Sequence, residues 1–422
     1  MMISKLIEFS LPQESTHPTS GMINQILQSK DSVLVFRETD AHEVAVETGE
    51  ILCSFNYERL IEYPQRQFVI NDHAANWRSP DGSLIVRLRQ APNSAARLTC
   101  NETKSGRQRW EVDIVIEPSL AEHHPDFAPD DPELFFAMGT AEPVLCIQYA
   151  PEDERGLVLH QLSVTDGAVR WTHDIKDAFV DIMTKPCFDG LFRTRTTVGR
   201  VDFDACVVHL TDHLPSVPSQ PIRIGERIYF SGYTKSTATL WSAENHCANI
   251  EQIIQVEKKK VSETAVYAAA DQPVLRVNQD TLWFKDTSGH DASVTFKPWV
   301  YGVVASPGGP LFVLTDGNGG RLLAFDRTTH ENVLDLKPTI GGYGHHVFLE
   351  NHAIILATIA TKRDRSQTAL QVVSTLDCKH ARVPINSVLV SAFHNHALLY
   401  TATADNQNAF AFLDLRELKS QL

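Results

Sequence analysis

The sequence predicts an all-β chain: a single β-propeller of about eight four-stranded blades, with seven as the alternative. Three observations predict it. Short β-rich runs recur along the 422 residues, each ending in a polar turn followed by another β-run. In three of these units a glycine (Gly49, Gly106, Gly167) stands four residues before Cys53, Trp110 or Trp171. The turns are about 57 and 61 residues apart early in the chain and roughly 38 to 49 apart later, a period that fits several strands per unit.

The clear copies run over 44–53, 98–110 and 162–171. Glycine at the turn permits the positive φ of a tight hairpin. A residue four places later has a fixed face on the returning strand, where a Trp can pack against the neighbouring sheet. Weaker copies follow around Asp204, Glu244-Asn245, Ser288-Gly289, Thr328-Thr329 and Asp377. Upstream strands are expected at 33–36, 84–89, 144–149, 191–196, 227–230, 274–277, 311–315, 354–358 and 398–402, each a short apolar or alternating run.

These units give eight turns plus a terminal strand pair. The expectation is eight blades, with one short unit in 190–256 overcounted. Residues 3–11 read as a strand that pairs with 408–415, which would remove two exposed sheet edges. Residues 249–260 read either as a short amphipathic helix or as a strand with a charged loop, and 413–422 as a terminal turn of helix. The domain expectation is one propeller over 1–422, with inserted loops at 71–83 and 117–133.

The pattern of a hydrophobic residue, an acid, Thr-Gly and a Trp four places after the glycine resembles the PQQ-like β-propeller repeat. Ser79-Pro-Asp-Gly82 is similar to a turn of other propellers, and it occurs once. The resemblance runs along nearly the whole chain and is strong in three units. It implies the fold more than an activity. Quinoprotein dehydrogenases of this type are exported and bind calcium and cofactor through a dedicated residue set. This sequence shows no export signal and no adjacent Cys-Cys pair, so no cofactor is expected.

Composition narrows the function. With 38 Lys+Arg against 52 Asp+Glu the net charge is −14, which argues against phosphate-backbone binding and adhesion to anionic membranes. Hydrophobic residues at 43% and charged residues at 21% support a large core. No run approaches 18 apolar residues, and the N-terminal Met-Met-Ile-Ser-Lys lacks the features of a signal peptide. Seven cysteines with no Cys-x-x-Cys read as small hydrophobes in a reducing compartment, so a cytoplasmic location is expected.

No phosphate loop, His-Glu-x-x-His or Gly-x-Ser-x-Gly occurs. Asp316-Gly-Asn-Gly-Gly320 reads as a hairpin turn, because it lacks the spaced carboxylates of a calcium loop. Eighteen histidines include His123-His124, His345-His346 and His394-x-His396, but no carboxylate or cysteine stands at ligand spacing, so no metal is expected.

The informative segments lie outside the repeats. Residues 111–135 hold eight acids and no Lys or Arg, and 118–132 carries four prolines. Proline keeps that segment out of a sheet interior and suggests an acidic surface loop. Glu122, Asp126, Phe127, Asp130 and Asp131 are its candidate partner-binding residues, with acids steering a basic partner and Phe127 anchoring it. Trp77 and Arg78 in 71–83 form a second candidate, read as blade cap or interface anchor. Residues 257–260 (Glu-Lys-Lys-Lys) read as a solvated edge.

Two functions follow. The first is a non-catalytic propeller, monomeric when alone, that binds another protein through face loops as a scaffold or as an immunity-type neutraliser of a basic enzyme. The second is a hydrolase or lyase acting on a sugar or small molecule at a central funnel, with no catalytic residue assigned. Clustered His, Arg and carboxylates on the first strands of the blades would favour the enzyme. Val and Ala there would favour binding.

Overall fold

The computed structural model describes residues 6–11, 25–28, 31–37, 40–56, 68–71, 74–91, 95–116, 132–149, 156–180, 188–296, 299–315, 320–337, 345–349, 353–360, 368–385, 387–393, 395–402 and 408–420. Within them the strands form nine sheets. Each is a β-propeller blade, a meander of antiparallel strands. In chain order these are blade 1 (25–56), blade 2 (76–115), blade 3 (133–176), blade 4 (191–210), blade 5 (222–257), blade 6 (264–295), blade 7 (300–336), blade 8 (345–385) and blade 9 (388–414 with 6–10). Seven have four strands. Blade 3 gains a fifth, Val69–Ile70, parallel to Glu133–Phe136, and blade 4 has three. Before blade 4 an isolated bridge joins Phe179 to Arg193, a one-residue substitute for the absent first strand.

The chain groups into two compact units. Glu14–His213 holds blades 1 to 4, and Leu214–Leu422 with Met1–Gln13 holds blades 5 to 9. In the second unit the two ends of the sequence meet as expected. Strand Leu6–Ser10 pairs antiparallel with Asn408–Asp414, Leu6 opposite Leu413 and Ser10 opposite Ala409. Phe9 stacks on Phe410 and Phe412 at centroid distances of 5.5 and 4.8 Å. A short helix, Leu415–Ser420, follows and buries Leu415 and Leu418 in the core of blades 8 and 9.

That end pairing explains why the expected eight blades are nine. Every turn unit in the sequence is the hairpin between the last two strands of a blade. Blade 9 draws its last strand from the chain's beginning and has no such hairpin. The short units in 190–256 are both real, as blades 4 and 5. All nine upstream runs contain a strand, each in its own sheet, although within 191–196 only Leu191–Arg193 is strand.

The hairpins share one backbone demand, a residue with positive φ. Gly49, Gly106 and Gly167 meet it at φ of 72°, 68° and 74°, and Gly289 at 81°. In blades 4, 5, 7 and 8 it falls to Cys206, Cys247, His330 and Cys378, at 55° to 64°. A side chain there costs about 1–2 kcal/mol, which the sheets on either side must offset. The weak repeat copies are thus degenerate in sequence while keeping the same geometry.

The residue four places after the glycine ties its blade to the next. Cys53 Sγ donates to the Thr103 carbonyl at 3.0 Å, and Trp110 Nε1 donates to the Val164 carbonyl at 2.8 Å. Thr103 and Val164 each stand three residues before the glycine of the following hairpin, so the bond is itself part of the repeat. Trp110 is buried, and the ring lies on Gly167, where an added Cβ would come within 2.8 Å of Trp110 Cε3. Trp171 is only half-buried. It packs against the buried cluster of blades 3 and 4 and stacks on His173.

One local expectation changes, one pair of alternatives is settled and one segment lies outside the described residues. Residues 71–83 are not one loop: Asn76–Arg78 is the first strand of blade 2, and 79–83 turns into the second. Of the two readings of 249–260, the strand with a charged loop holds and the helix does not. Glu251–Glu257 is the last strand of blade 5, and Lys258 beyond it donates to Thr281 Oγ1 at 2.9 Å. Asp316 to Gly319 lie outside the described residues, although the strands they join pair antiparallel with Thr315 opposite Arg321.

Candidate functional site

Of the partner-binding residues expected from sequence, Glu122, Asp126, Phe127, Asp130 and Asp131 lie outside the described residues. Trp77 and Arg78 are both buried. Trp77 is 1% exposed, and its indole N–H bonds Thr140, 3.1 Å from Oγ1 and 3.3 Å from the carbonyl. Arg78 reaches across to blade 1 and pairs with Glu43, whose Oε1 also accepts from Ser32 Oγ. The guanidinium additionally donates to the Gly82 carbonyl of the Ser-Pro-Asp-Gly turn. Neither side chain offers exposed surface. A second tie lies alongside: Gln25 Oε1 accepts from Asn76 N and Nδ2 at 3.0 and 2.7 Å, and Gln25 Nε2 donates to the Asn76 carbonyl at 3.0 Å. Blades 1 and 2 are therefore joined at their first strands by polar bonds.

Blade 1 also holds the residue types of a nucleophilic triad. Ser54 Oγ lies 2.8 Å from His42 Nδ1, and His42 Nε2 lies 3.2 Å from Asp40 Oδ2. Arg37 binds the same carboxylate with both arms of its guanidinium and lies 3.1 Å from His42 Nε2. Burial pushes the Asp40 carboxyl up, but bonds from His42 and Arg37 outweigh it and hold it below the ordinary range.

The repeat accounts for this group. His42 and Ser54 face each other across the last two strands, seven residues before and five after Gly49. The same places in blade 2 hold Thr99 and Glu111, with Thr99 Oγ1 donating to Glu111 Oε2 at 3.4 Å. In blade 3 they hold His160 and Thr172, 2.9 Å apart. A polar pair recurring at one register in three blades is a cross-strand stitch.

The first strands are where a funnel enzyme would carry its clustered acids and histidines. Across the blades they read Gln-Ile-Leu-Gln, Asn-Trp-Arg, Glu-Leu-Phe-Phe, Leu-Phe-Arg (in blade 4 the strand that follows the Phe179 bridge), Ile-Arg-Ile, Thr-Ala-Val-Tyr-Ala-Ala, Val-Tyr-Gly-Val-Val-Ala, His-His-Val-Phe-Leu and Val-Leu-Val-Ser-Ala-Phe. Glu133 is the single carboxylate in these nine segments, and Asn71 Nδ2 donates to it at 2.9 Å. Among the described residues no group of three or more His, Cys, Asp or Glu could hold a metal ion. Among the described residues no helix is long and apolar enough to cross a membrane.

An aromatic pair that sequence reading passed over stands out instead. Trp299 is 61% exposed and Tyr301 is 68% exposed, while Val300 between them is 1% exposed. Val300 turns into the core of blades 6 and 7, while Trp299 precedes the strand and Tyr301 stands at a bulge between Val300 and Gly302, leaving both rings outward. Behind them Arg276 Nη1 donates to the Val300 carbonyl and to Tyr267 Oη, each at 3.2 Å. Burial pushes the Tyr267 phenol up, keeping it neutral. Glu263 lies 3.4 Å from Arg276. The signal in the sequence was an aromatic on each side of a single strand-initial Val, too short to register as a pattern.

No family model and no curated protein matches this sequence. Solved structures do. A eukaryotic initiation factor aligns over 91% of this chain and 98% of its own, at 12% identity and a TM-score of 0.50. BamB from Moraxella catarrhalis aligns over 96% and 95%, at 10% identity and TM-score 0.43. The WD40 domain of SCAP from fission yeast aligns over 97% and 98%, at 10% identity and TM-score 0.42. At such identities these likenesses concern the fold alone, and the chain is a β-propeller with four-stranded blades.

Proposed function

We propose that this chain is a non-catalytic β-propeller that binds another protein, with Trp299 and Tyr301 as anchors. The observation that carries the reading is the exposure of both rings on one rigid strand start. Trp and Tyr are enriched at binding hot spots because they supply large contact area with few rotatable bonds. Their strand is pinned by Val300 and Arg276, so little ordering entropy opposes association. First strands almost bare of carboxylates support the same choice over a funnel hydrolase.

The finer reading carries over from composition. The partner is a basic cytoplasmic protein, which the net charge of −14 and the acids of 118–132 would steer, and the propeller acts as its scaffold or neutraliser. The PQQ-like kinship of the repeats belongs to the same proposal.

Affinity capture from the native cytoplasm tests it, with three baits compared: the intact chain, Trp299→Ala/Tyr301→Ala, and a chain lacking 118–132. The expected result is one stoichiometric basic protein on the intact bait, lost from the double variant and weakened by the deletion. A partner held equally by all three baits overturns the anchoring. An intact bait that stays empty overturns the binding function.

A further inference from the structure

Trp299 and Tyr301 stand on a surface whose charge differs from that of the chain. Hydrogen bonds carry this surface across blades 5, 6 and 7, all within the unit of Leu214–Leu422 and Met1–Gln13. The linker into blade 5 lies on that blade's second strand, Arg227–Tyr233: Ser219 N donates to the Ser231 carbonyl at 2.6 Å, and Pro218 bridges Gly232. The next turn, 234–237, holds the linker from blade 5 to blade 6. Lys258 N donates to the Ser236 carbonyl and Val261 N to the Lys235 carbonyl, each at 2.9 Å. Asn278, in the corresponding turn of blade 6, accepts from Ser262 N at 2.7 Å and donates through Nδ2 to the Lys260 carbonyl at 2.8 Å. Beside it the Gln279 carbonyl accepts from Val300 N at 2.9 Å. Trp299 and Tyr301 flank that valine, so both rings belong to one continuously bonded rim.

The rim gathers exposed apolar side chains, namely Val217, Tyr233, Trp299 and Tyr301. The other exposed large hydrophobics described in this unit are Leu6, Val333 and Leu376. The rim is also positive. Residues 214–221, 233–237, 257–263 and 278–281, the first strands of blades 5 to 7 and Arg276 behind them hold six cations and three carboxylates. Lys258 meets Asp280 at 4.0 Å, and Arg276 meets Glu263 at 3.4 Å. Arg223, Lys235, Lys259 and Lys260 then stand against Glu257 alone. The three lysines are exposed, and their ammonium groups bond no described residue. Edge protection explains lysines on an outer strand. Here the outer strand ends at Glu257, before Lys259 and Lys260, and Lys235 is in a turn, so none of the three guards an edge.

We propose that this rim receives an acidic polypeptide segment, whose carboxylates pair with Lys235, Lys259 and Lys260 while a large apolar side chain packs on Trp299 and Tyr301. The inference rests on the reading of those rings as anchors and fixes the charge of the segment they meet. A partner that is basic overall can present such a segment. Three free ammonium groups in a chain of net charge −14 suit a short run of carboxylates. They are too few to offset the repulsion of a long nucleic acid or an anionic bilayer.

Selection of random peptides displayed on phage tests it, run in parallel on the intact full chain, Trp299→Ala/Tyr301→Ala and Lys235→Glu/Lys259→Glu/Lys260→Glu. All five substituted side chains are exposed, and circular dichroism checks that each variant keeps its sheets. The expected result is a set of peptides with net negative charge and a large apolar residue, enriched on the intact chain and on neither variant. Once synthesised, they should bind the lysine variant about tenfold more weakly and lose affinity as salt rises. Neutral or basic peptides that are lost from the aromatic variant overturn the acidic segment and leave the anchors standing. Acidic peptides that bind the aromatic variant equally well overturn the anchors. Failure to enrich any peptide on the intact chain overturns the proposal. So does tighter binding of oligothymidylate or phosphatidylserine vesicles than of the selected peptides, abolished in the lysine variant.

Discussion

Replacing Trp110 with alanine removes a ring that is 8% exposed, lies on Gly167 and donates to the Val164 carbonyl. Burial of about 150–250 Å2 at ~25 cal/mol per Å2 gives roughly 4–6 kcal/mol, against about 3–5 kcal/mol typical of large aromatics cut to alanine. The expected loss is therefore ~3–5 kcal/mol in guanidinium melts. Trp110→Phe keeps most of the apolar area and loses the N–H donor, so it should cost ~1–3 kcal/mol.

Gly167→Ala separates packing from backbone. Its φ of 74° alone costs an alanine about 1–2 kcal/mol. The new Cβ would also stand 2.8 Å from Trp110 Cε3 and 3.0 Å from Val112 Cγ1, which adds ~1–3 kcal/mol of overpacking. Once Trp110 is alanine, most of that second part disappears. The double-mutant cycle should therefore show a coupling of about 1–3 kcal/mol. Equal costs for Gly167→Ala in both backgrounds would refute the seating of this ring on the next hairpin. A Trp110→Ala loss under ~1 kcal/mol would refute its role in joining blades 2 and 3.

The remaining predictions come from the same contacts. Trp171 is half-buried, so Trp171→Ala should cost less than Trp110→Ala, about 1–2 kcal/mol in the same melts. Arg78→Ala leaves Glu43 buried without its cation and should cost ~3–5 kcal/mol, much of it recovered by adding Glu43→Gln. Asp40 is held below the ordinary carboxyl value, so its contribution is complete above about pH 3.9 and is lost as pH falls through the lower folded value. Asp40→Asn should accordingly flatten the acid limb of stability measured below about pH 4. The Cys53 thiol is pushed up to about 12, by burial first and then by the Glu43 carboxylate. A disulfide reagent at about pH 8 should leave it unmodified in the native chain and label it on unfolding.

The fold was legible because hairpin chemistry is local. Gly49, Gly106 and Gly167 announce their turns, and β-rich runs announce the strands between them. The blade number was not, because the strand completing blade 9 lies some 400 residues away in sequence from its partner and no turn marks it. Blade 4 was harder still, since its first strand is reduced to the bridge at Phe179. Trp77 misled for a related reason. The Pro-Asp-Gly beside it reads as loop, yet a three-residue strand is enough to bury an indole once Thr140 from the next blade supplies an acceptor. Trp299 and Tyr301 were missed because exposure on a strand start depends on what the adjoining blade fails to cover.

A repeat also supplies its own control for reading polar residues. Asp40, His42 and Ser54 look catalytic in isolation, yet blades 2 and 3 carry Thr99 with Glu111 and His160 with Thr172 at the same register. What recurs with changing chemistry serves the blade, because any hydrogen-bonding pair holds the two strands together. Arg87, opposite Thr99, fails that test in the opposite sense. Its counterparts Val35 and Leu145, opposite His42 and His160, are fully buried hydrophobes, whereas Arg87 Nε donates to Asn76 Oδ1 at 3.3 Å, so the guanidinium adds to the polar tie between the first strands of blades 1 and 2. Cys53 and Trp110 keep the inter-blade bond while changing its donor, as structural positions should. Departure from the repeat, more than residue type, thus marks the places where one blade is fastened to its neighbour in its own way.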